Sequence, residues 1–116
     1  MKLLEGKSVL VTGASTGIGR AAAIGAAQHG ADVAINYANS DGPAASCVAE
    51  IEALGQRAIA VKGDVADPQT AQDFVAKAVD AFGKVDVMVS NAGICPFHAF
   101  LDMPVDVVER TFKVNL

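Results

Sequence analysis

Residues 12–19, TGASTGIG, place three glycines between an apolar run, SVLVT, and a run of small residues that favours a helix. At a strand-to-helix junction, backbone N–H groups and the helix dipole point at one spot, where they stabilise an anion. Gly13 can leave the strand with a positive φ, Gly17 lets a diphosphate approach the backbone, and Gly19 lets the helix pack close to the strand. The sequence therefore favours a dinucleotide site, and a tight turn that serves packing alone stays open as the alternative.

Two further short stretches carry polar groups after apolar runs: GDV at 63–65 and NAG at 91–93. Taken alone, Asp64 is equally well a turn or helix-capping aspartate. In the same way, Asn91 begins what reads as a plain turn. On spacing alone, neither stretch indicates a particular ligand.

The elements that must position these residues alternate between strand and helix along the whole chain. Apolar runs predict strands at 8–12, 32–36, 58–64 and 85–90. Helical patterns lie at 17–29, between Asp41 and Gly55, between Asp67 and Gly83, and from Pro104 onward. Pro43 is predicted at the first position of the second helix. This alternation predicts an α/β fold, a parallel sheet with helices on both faces.

The third predicted helix shows the clearest amphipathic pattern and the clearest ends. Asp67 and Pro68 have the residue types of an N-cap and first helical position, and Gly83 follows the last apolar residue. Its apolar residues predict one broad buried face, formed by Ala71, Phe74, Val75, Ala78, Val79 and Phe82.

Composition bounds the class of protein. The 116 residues form one predicted domain, 1–116, with 52% hydrophobic residues and a net charge of −4. The basic residues are scattered singly, so no nucleic-acid partner is predicted, and no apolar window predicts a membrane span or signal peptide. Cys47 and Cys95 form no C-x-x-C pair, which favours reduced thiols and a cytoplasmic location. His29 and His98 lack metal-ligand spacing, so no metal site is predicted.

Four motifs occur in order: LEGKSVLVTGASTGIG at 4–19, GDV at 63–65, NAGI at 91–94 and VNL at 114–116. Together they resemble the short-chain dehydrogenase/reductase family, over essentially the whole chain. The resemblance implies a Rossmann-like doubly wound parallel sheet of strand order 3-2-1-4 and an NAD(P)-dependent oxidoreductase. Within the family, the chain is most similar to bacterial sugar 1-dehydrogenases, on the stretches INYANSDGPA and NAGICPFHAFLDMP. That similarity implies a small-molecule sugar substrate that is oxidised to its lactone.

The resemblance also implies roles for individual residues. The cofactor diphosphate would lie on the glycine turn, at Gly13, Ser15, Thr16, Gly17, Ile18 and Gly19. The adenosine end would involve Asn36 and Tyr37, and the adenine would contact Asp64 and Val65. The nicotinamide-side ribose would be lined by Asn91, Ala92 and Gly93. One catalytic residue of the family is matched, Asn115, which would anchor a proton-relay water.

The end of the second strand bears on the choice between NAD and NADP. No acid precedes Asp41 there to bond the ribose hydroxyls and repel a 2′-phosphate. Neither Thr16 nor Ala38 is an Arg or Lys that could bind such a phosphate. We therefore expect use of both NADP and NAD, with a preference for NADP through neutral hydrogen bonds.

Three catalytic residues of the family, a Ser and a Tyr-x-x-x-Lys pair, have no match in the chain. The sole tyrosine is Tyr37, and Asp41 stands four residues on where the Lys would be. A Lys at that spacing would favour the phenolate and so lower the pKa of the Tyr. The sequence is therefore expected to be the cofactor-binding half of a longer enzyme, inactive by itself and forming homo-oligomers.

Other functions stay open from the residues alone. A non-catalytic nucleotide-binding module would need no Tyr and Lys, and a half-domain scaffold would bind no cofactor. Among enzymes, a 3-oxoacyl reductase and a glucose 1-dehydrogenase are alternatives, because both share many of the same sequence motifs. A methyltransferase is disfavoured because those usually carry an acid where this chain has NYAN at 36–39.

Overall fold

The computed structural model describes residues 2–93 and 103–115, and it contains the predicted alternation of strands and helices. Cys95, His98 and the rest of the stretch 94–102 lie outside the described residues. The strands are β1 (Ser8–Val11), β2 (Asp32–Tyr37), β3 (Ala58–Lys62) and β4 (Val87–Val89). The helices are α1 (Gly17–Gln28), α2 (Asp41–Ala53), α3 (Pro68–Phe82) and α4 (Val105–Asn115).

The four strands form one parallel sheet in the order β3-β2-β1-β4, so the predicted order is confirmed. In register, Ser8 lies opposite Asp32, and Val9 lies opposite both Val33 and Val87. Because the strands are parallel, the segments that follow all of them meet at one edge of the sheet. The direction of strand addition reverses between β1 and β4, and such a switch point is where doubly wound sheets bind ligands.

The helices cover both faces of the sheet, as predicted. On one face α1 and α2 pack over inward side chains of β1 and β2, in a buried cluster that includes Val9, Ile35, Ala27, Cys47 and Ile51. On the other face α3 covers the alternate residues, in a cluster formed by Leu10, Ala34, Val61, Phe74, Ala78 and Phe82. Apolar residues at consecutive strand positions are therefore buried on opposite sides, as expected for a covered parallel strand.

Two details of the helix predictions are wrong. Helix α2 begins at Asp41 with Ser40 as its N-cap, so Pro43 is its third residue and not its first. The buried face of α3 is also narrower than predicted. Its buried residues follow a spacing of four, Thr70, Phe74, Ala78 and Phe82, whereas Val75 and Val79 are 39% and 42% exposed. The reason is that α3 meets the sheet along a single row of one helix face.

The predicted ends of α3 are confirmed. The Asp67 side chain accepts a hydrogen bond of 2.9 Å from the backbone N–H of Gln69, and Pro68 follows at the first helical position. At the other end Gly83 takes the left-handed conformation, with a φ of 83°. Helix α3 thus begins directly after the loop that carries Asp64 and Val65, and its cap fixes where that loop ends.

Asp67→Ala should lower the free energy of unfolding by about 1 kcal/mol, because it leaves an N-terminal N–H of α3 without its acceptor. The matched control is Asp73→Ala in the same helix, which removes only an exposed hydrogen bond to the Gln69 side chain. That control should change the stability by no more than about 0.5 kcal/mol. Urea denaturation measures both, and equal losses would contradict the capping role.

Candidate functional site

The glycine turn between β1 and α1 requires glycine at two positions. Gly13 and Gly17 have φ angles of 62° and 63°, and among the described residues only glycines have a positive φ. A side chain at Gly17 would meet no heavy atom within 4 Å, so the backbone there is open to approach. The conformation predicted for Gly13 is confirmed, and the backbone at Gly17 has the access that the predicted diphosphate would need.

Gly19 allows close packing, as predicted. It packs against the segment after β4 as well as against the segment after β1. A Cβ at Gly19 would lie 2.5 Å from Asn91 Nδ2 and 2.6 Å from the Gly13 carbonyl oxygen. A Cβ at Gly13 would likewise lie 3.0 Å from the Cα of Ala92. The glycine turn and the NAG stretch at 91–93 are therefore in direct contact, as their positions after β1 and β4 require.

Hydrogen bonds join these two stretches through Thr12, a residue that the sequence did not single out. Thr12 Oγ1 accepts from the backbone N–H groups of Asn91 and Ala92, at 3.0 and 3.1 Å. In return the Asn91 side-chain amide donates to the carbonyls of Thr12 and Gly13, each at 3.2 Å. The segments that follow β1 and β4 are thus held together by two side chains, of which Asn91 is a candidate site residue.

The N-terminus of α1 is exposed and lacks a side-chain cap. Thr16 occupies the N-cap position without a capping hydrogen bond, and no acidic residue lies in the first turn. Thr16, Gly17 and Ile18 are exposed, whereas Ser15 and Gly19 are buried. Because the first N–H groups of a helix have no intrahelical acceptor, this arrangement favours an anion held by backbone donors.

A cleft of about 290 Å³ lies at the carboxyl edge of the sheet, and it brings together half of the predicted site residues. We refer to it as the carboxyl-edge cleft. Its predicted lining residues are Gly13, Asn36, Asp64, Val65, Asn91, Ala92 and Gly93. It is also lined by residues that were not predicted, namely Ala38, Asn39, Gly63, Arg110 and Val114. The catalytic candidate Asn115 lies beside the cleft, with its Oδ1 atom 3.4 Å from where a Cβ of Gly93 would be.

Asn36 holds the neighbouring strand ends together. Only 1% of the residue is exposed, and its Oδ1 atom accepts from the Gly13 N–H at 3.4 Å. Its Nδ2 atom donates to the carbonyls of Val61 and Gly63, at 3.3 and 3.0 Å. The side-chain amide is thus committed to backbone partners from β1 and β3, and the contact with adenosine predicted for Asn36 stays untested.

Tyr37 belongs to a polar cluster beside the cleft. A hydrogen bond to Asp41 raises the pKa of the Tyr37 phenol, and the same bond lowers the pKa of Asp41. The Lys62 ammonium lies 3.3 Å from Asp41 Oδ1 and further lowers the pKa of that carboxyl. A cation therefore lies near the end of β2. The sequence did not predict this cation, because it belongs to Lys62 on β3, which lies opposite Tyr37 in the sheet register.

Asp64 has two partners inside the chain. Its Oδ2 atom lies 2.6 Å from the Arg110 guanidinium, and its Oδ1 atom accepts from the Ala66 N–H at 2.9 Å. The hydrogen bond to Arg110 is the main reason that the pKa of Asp64 is lowered, and the Ala66 N–H adds to it. Since Arg110 is on α4, this ion pair attaches the helix that carries Asn115 to the loop after β3.

Two other kinds of site are absent from the described ranges. Across residues 2–93 and 103–115, no group of three or more His, Cys, Asp or Glu side chains could hold a metal ion. In those same stretches, none of the helices has the length and apolarity needed to cross a membrane.

The parallel sheet, the glycine turn and the cleft at the switch point are the features of a Rossmann-type doubly wound α/β protein. The family model for the short chain dehydrogenases matches residues 7–116, and the chain belongs to that family. The chain is 96% identical, over all of its length, to the L-rhamnose 1-dehydrogenase (NAD(P)(+)) of Sphingomonas sp. (strain SKA58), and covers 46% of that protein. The predicted resemblance to the family is confirmed.

A second curated relative and a solved structure are also similar to this chain. The chain is 54% identical to the L-rhamnose 1-dehydrogenase (NAD(P)(+)) of Azotobacter vinelandii, with 98% of this chain and 46% of that protein covered. A crystal structure of a short chain dehydrogenase from Burkholderia cenocepacia in complex with NADP is 47% identical. It superposes with a TM-score of 0.95 over 97% of this chain and 46% of that one. The chain spans about half the length of the curated relatives it matches.

Arg110→Gln should raise the pKa of Asp64 towards its ordinary value, because the main group that stabilises the carboxylate is removed. The matched control is Lys113→Gln, which removes a positive charge from the same helix but leaves the ion pair intact. Carbon-13 NMR titration of the carboxyl groups measures both variants. An unchanged Asp64 pKa in Arg110→Gln would contradict the assigned pair.

The lowered pKa of Asp64 also determines the pH range over which its ion pair with Arg110 stabilises the fold. The pKa of Asp64 is lowered in the folded chain, so the ion pair contributes its full stability above the ordinary pKa of 3.8. Its contribution is lost as the pH falls through the lowered value. Attachment of α4 to the loop should therefore be insensitive to pH around neutrality.

Proposed function

We propose that this chain is the dinucleotide-binding part of an NAD(P)-dependent oxidoreductase. The observation that carries the proposal is the exposed, uncapped N-terminus of α1 beside the carboxyl-edge cleft, with open backbone at Gly17. A diphosphate fits there because it needs several N–H donors and a positive helix end, and the turn offers both without a competing acid.

The remaining candidate residues fit the other parts of a dinucleotide. Asp64 and Val65 line the cleft at the end of β3, where they would contact the adenine. Asn91 and Gly93 line it at the end of β4, where they would meet the nicotinamide-side ribose. Asp64 is ionised around neutrality, and its hydrogen bond to Arg110 lowers its pKa further, so the carboxylate would act only as an acceptor towards the adenine amino group.

For the whole protein we propose oxidation of L-rhamnose at C1 to its lactone. The support is that two relatives of this chain, at 96% and 54% identity, are L-rhamnose 1-dehydrogenases (NAD(P)(+)). When bound, the oxidised nicotinamide would accept a hydride from the sugar carbon. Asn115 would hold the water through which the hydroxyl proton leaves.

The 116 residues would offer the binding step without the Tyr-x-x-x-Lys pair with which the family moves the proton. Their only tyrosine, Tyr37, donates to Asp41, and its pKa is raised instead of lowered. Cofactor binding without sugar oxidation by this polypeptide is therefore the expected behaviour. A non-catalytic nucleotide-binding module is the alternative function, and it would also show no turnover as a complete protein.

We also propose a cytoplasmic location and self-association. The buried free thiol of Cys47 supports a reducing compartment. Apolar side chains on α4 support association, since Val105 and Phe112 are 72% and 60% exposed.

The central test replaces Gly17 with valine. Gly17→Val should weaken NADP+ binding by about tenfold or more, because a branched side chain would occupy the approach to the turn and strain its left-handed backbone. The matched control is Gly55→Val, which carries the same kind of strain at a φ of 87° with no neighbour within 4 Å, after α2. Titration calorimetry measures both.

In the control variant the affinity for NADP+ should match that of the unmodified chain. Equal affinity in all three proteins would contradict the placement of the diphosphate. Absence of binding by the unmodified chain would instead favour a scaffold function.

Cofactor choice should change at the end of β2. Ala38→Arg places a guanidinium in the cleft and should favour NADP+ over NAD+ through a charge-assisted contact with the 2′-phosphate. Tyr37→Asp should have the opposite effect by repelling that phosphate. The control Ala53→Arg adds the same charge at the far end of α2 and should leave the ratio of the two dissociation constants unchanged. A ratio that moves in neither variant would show that the adenosine ribose binds elsewhere.

A further inference from the structure

Arg20, the fourth residue of α1, joins the glycine turn to helix α2. One guanidinium nitrogen donates to the carbonyls of Ser15 and Pro43, at 3.3 and 2.8 Å. The other terminal nitrogen donates to Ser46 Oγ at 3.0 Å and to Glu50 Oε1 at 2.9 Å. The side chain is only 21% exposed. A single residue thus links the glycine turn to α2, from its first turn as far as Glu50.

The two carbonyl acceptors belong to two different segments next to the candidate cofactor site. Ser15 is in the turn proposed for the diphosphate. Pro43 is in the first turn of α2, directly after the segment 38–40, of which Ala38 and Asn39 line the cleft. The Ala44 N–H donates to the Ser40 carbonyl at 3.0 Å, so this segment moves with the start of α2. The guanidinium therefore sets the separation between the diphosphate side and the adenosine side of the site.

Only an arginine suits this position. Its planar fork presents N–H groups to several acceptors at fixed angles, whereas a lysine ammonium is a single point on a flexible stem. Four acceptors of the chain itself surround the terminal nitrogens of Arg20. The side chain is thus placed to orient the backbone of the site and not to bind a phosphate directly.

We propose that Arg20 is a positioning residue of the dinucleotide site, which raises cofactor affinity by holding the glycine turn and the 38–40 segment at the spacing that one dinucleotide spans. The inference rests on the proposed function and adds a residue to it. Replacement of Arg20 should lower cofactor affinity by more than a loss of stability would explain. That distinction matters because an arginine with this many partners would also stabilise the fold.

The chain offers a matched control in Arg57. Its guanidinium also forms an ion pair, at 2.7 Å with Asp32, and also donates to a backbone carbonyl, that of Ala81 at 3.1 Å. Arg57 precedes β3 and its partner Asp32 begins β2, so the cluster lies at the amino edge of the sheet, opposite the cleft. Loss of Arg57 should therefore affect stability without changing the cofactor site.

The experiment measures the dissociation constant of NADP+ by calorimetry and the melting temperature for each variant of the 116-residue chain. Arg20→Gln should weaken NADP+ binding about tenfold, and Arg57→Gln should leave it within about twofold, while both variants lower the melting temperature. Arg20→Lys should remain weakened because an ammonium on a flexible stem does not hold its acceptors at fixed angles as the planar guanidinium does. It also serves as the test if Arg20→Gln does not fold.

Glu50→Ala and Ser46→Ala remove side-chain acceptors but keep the bonds to Ser15 and Pro43. Both should retain the unmodified affinity, which would assign the effect to the two carbonyl contacts. Unchanged affinity in Arg20→Gln and Arg20→Lys, with NADP+ bound by the unmodified chain, would overturn this inference alone. Equal weakening in Arg57→Gln would overturn it too, since stability would then explain the result. Failure of the unmodified chain to bind would contradict the proposed function and, with it, this inference.

Discussion

The site depends on one close approach of backbone, that of the glycine turn to the end of β4. Gly19 lies so near Asn91 and the Gly13 carbonyl that a single Cβ would have to displace one of them. The hydrogen bonds between Thr12 and Asn91 hold the two segments at that distance. Because β1 and β4 flank the switch point of the sheet, this contact decides where the N-terminus of α1 points. The exposed backbone at Gly17 and the β1 and β4 sides of the cleft follow from it, whereas the ion pair of Asp64 with Arg110 attaches the helix that carries Asn115.

The charges around the cleft are largely paired within the chain. Asp64 is paired with Arg110, and Asp41 with Lys62, which leaves backbone N–H groups as the main donors for a ligand. Binding by backbone donors recognises the diphosphate that NAD and NADP share. It would provide little discrimination at the 2′ position, for which the proposed neighbours Ala38 and Asn39 are neutral. The proposed use of both cofactors is therefore a consequence of how the carboxylates of the site are neutralised.

Much of the fold could be predicted from the sequence, because strand and helix periods and turn residues are local features. The resemblance to a family added the strand order and the residues at the carboxyl edge. Side-chain pairing between distant elements could not be predicted in this way. Arg20, Lys62 and Arg110 reach partners on other elements, and their spacing in the chain carries no signal of that. The burial of Asn36 was missed for the same reason, since its partners lie after β1, on β3 and after β3.

The most direct test of the central claim is a nitrogen-15 NMR titration of the 116-residue chain with NADP+, which reads each backbone N–H separately. The account predicts the largest shifts at the amides of Thr16–Gly19, with further shifts at Val65, Asn91 and Gly93 around the carboxyl-edge cleft. The amides of Gly55 and Gly83, which follow α2 and α3 at the opposite edge, should stay unchanged. Saturable shifts centred on that opposite edge, or none at the glycine turn, would contradict the claim that the turn binds the dinucleotide.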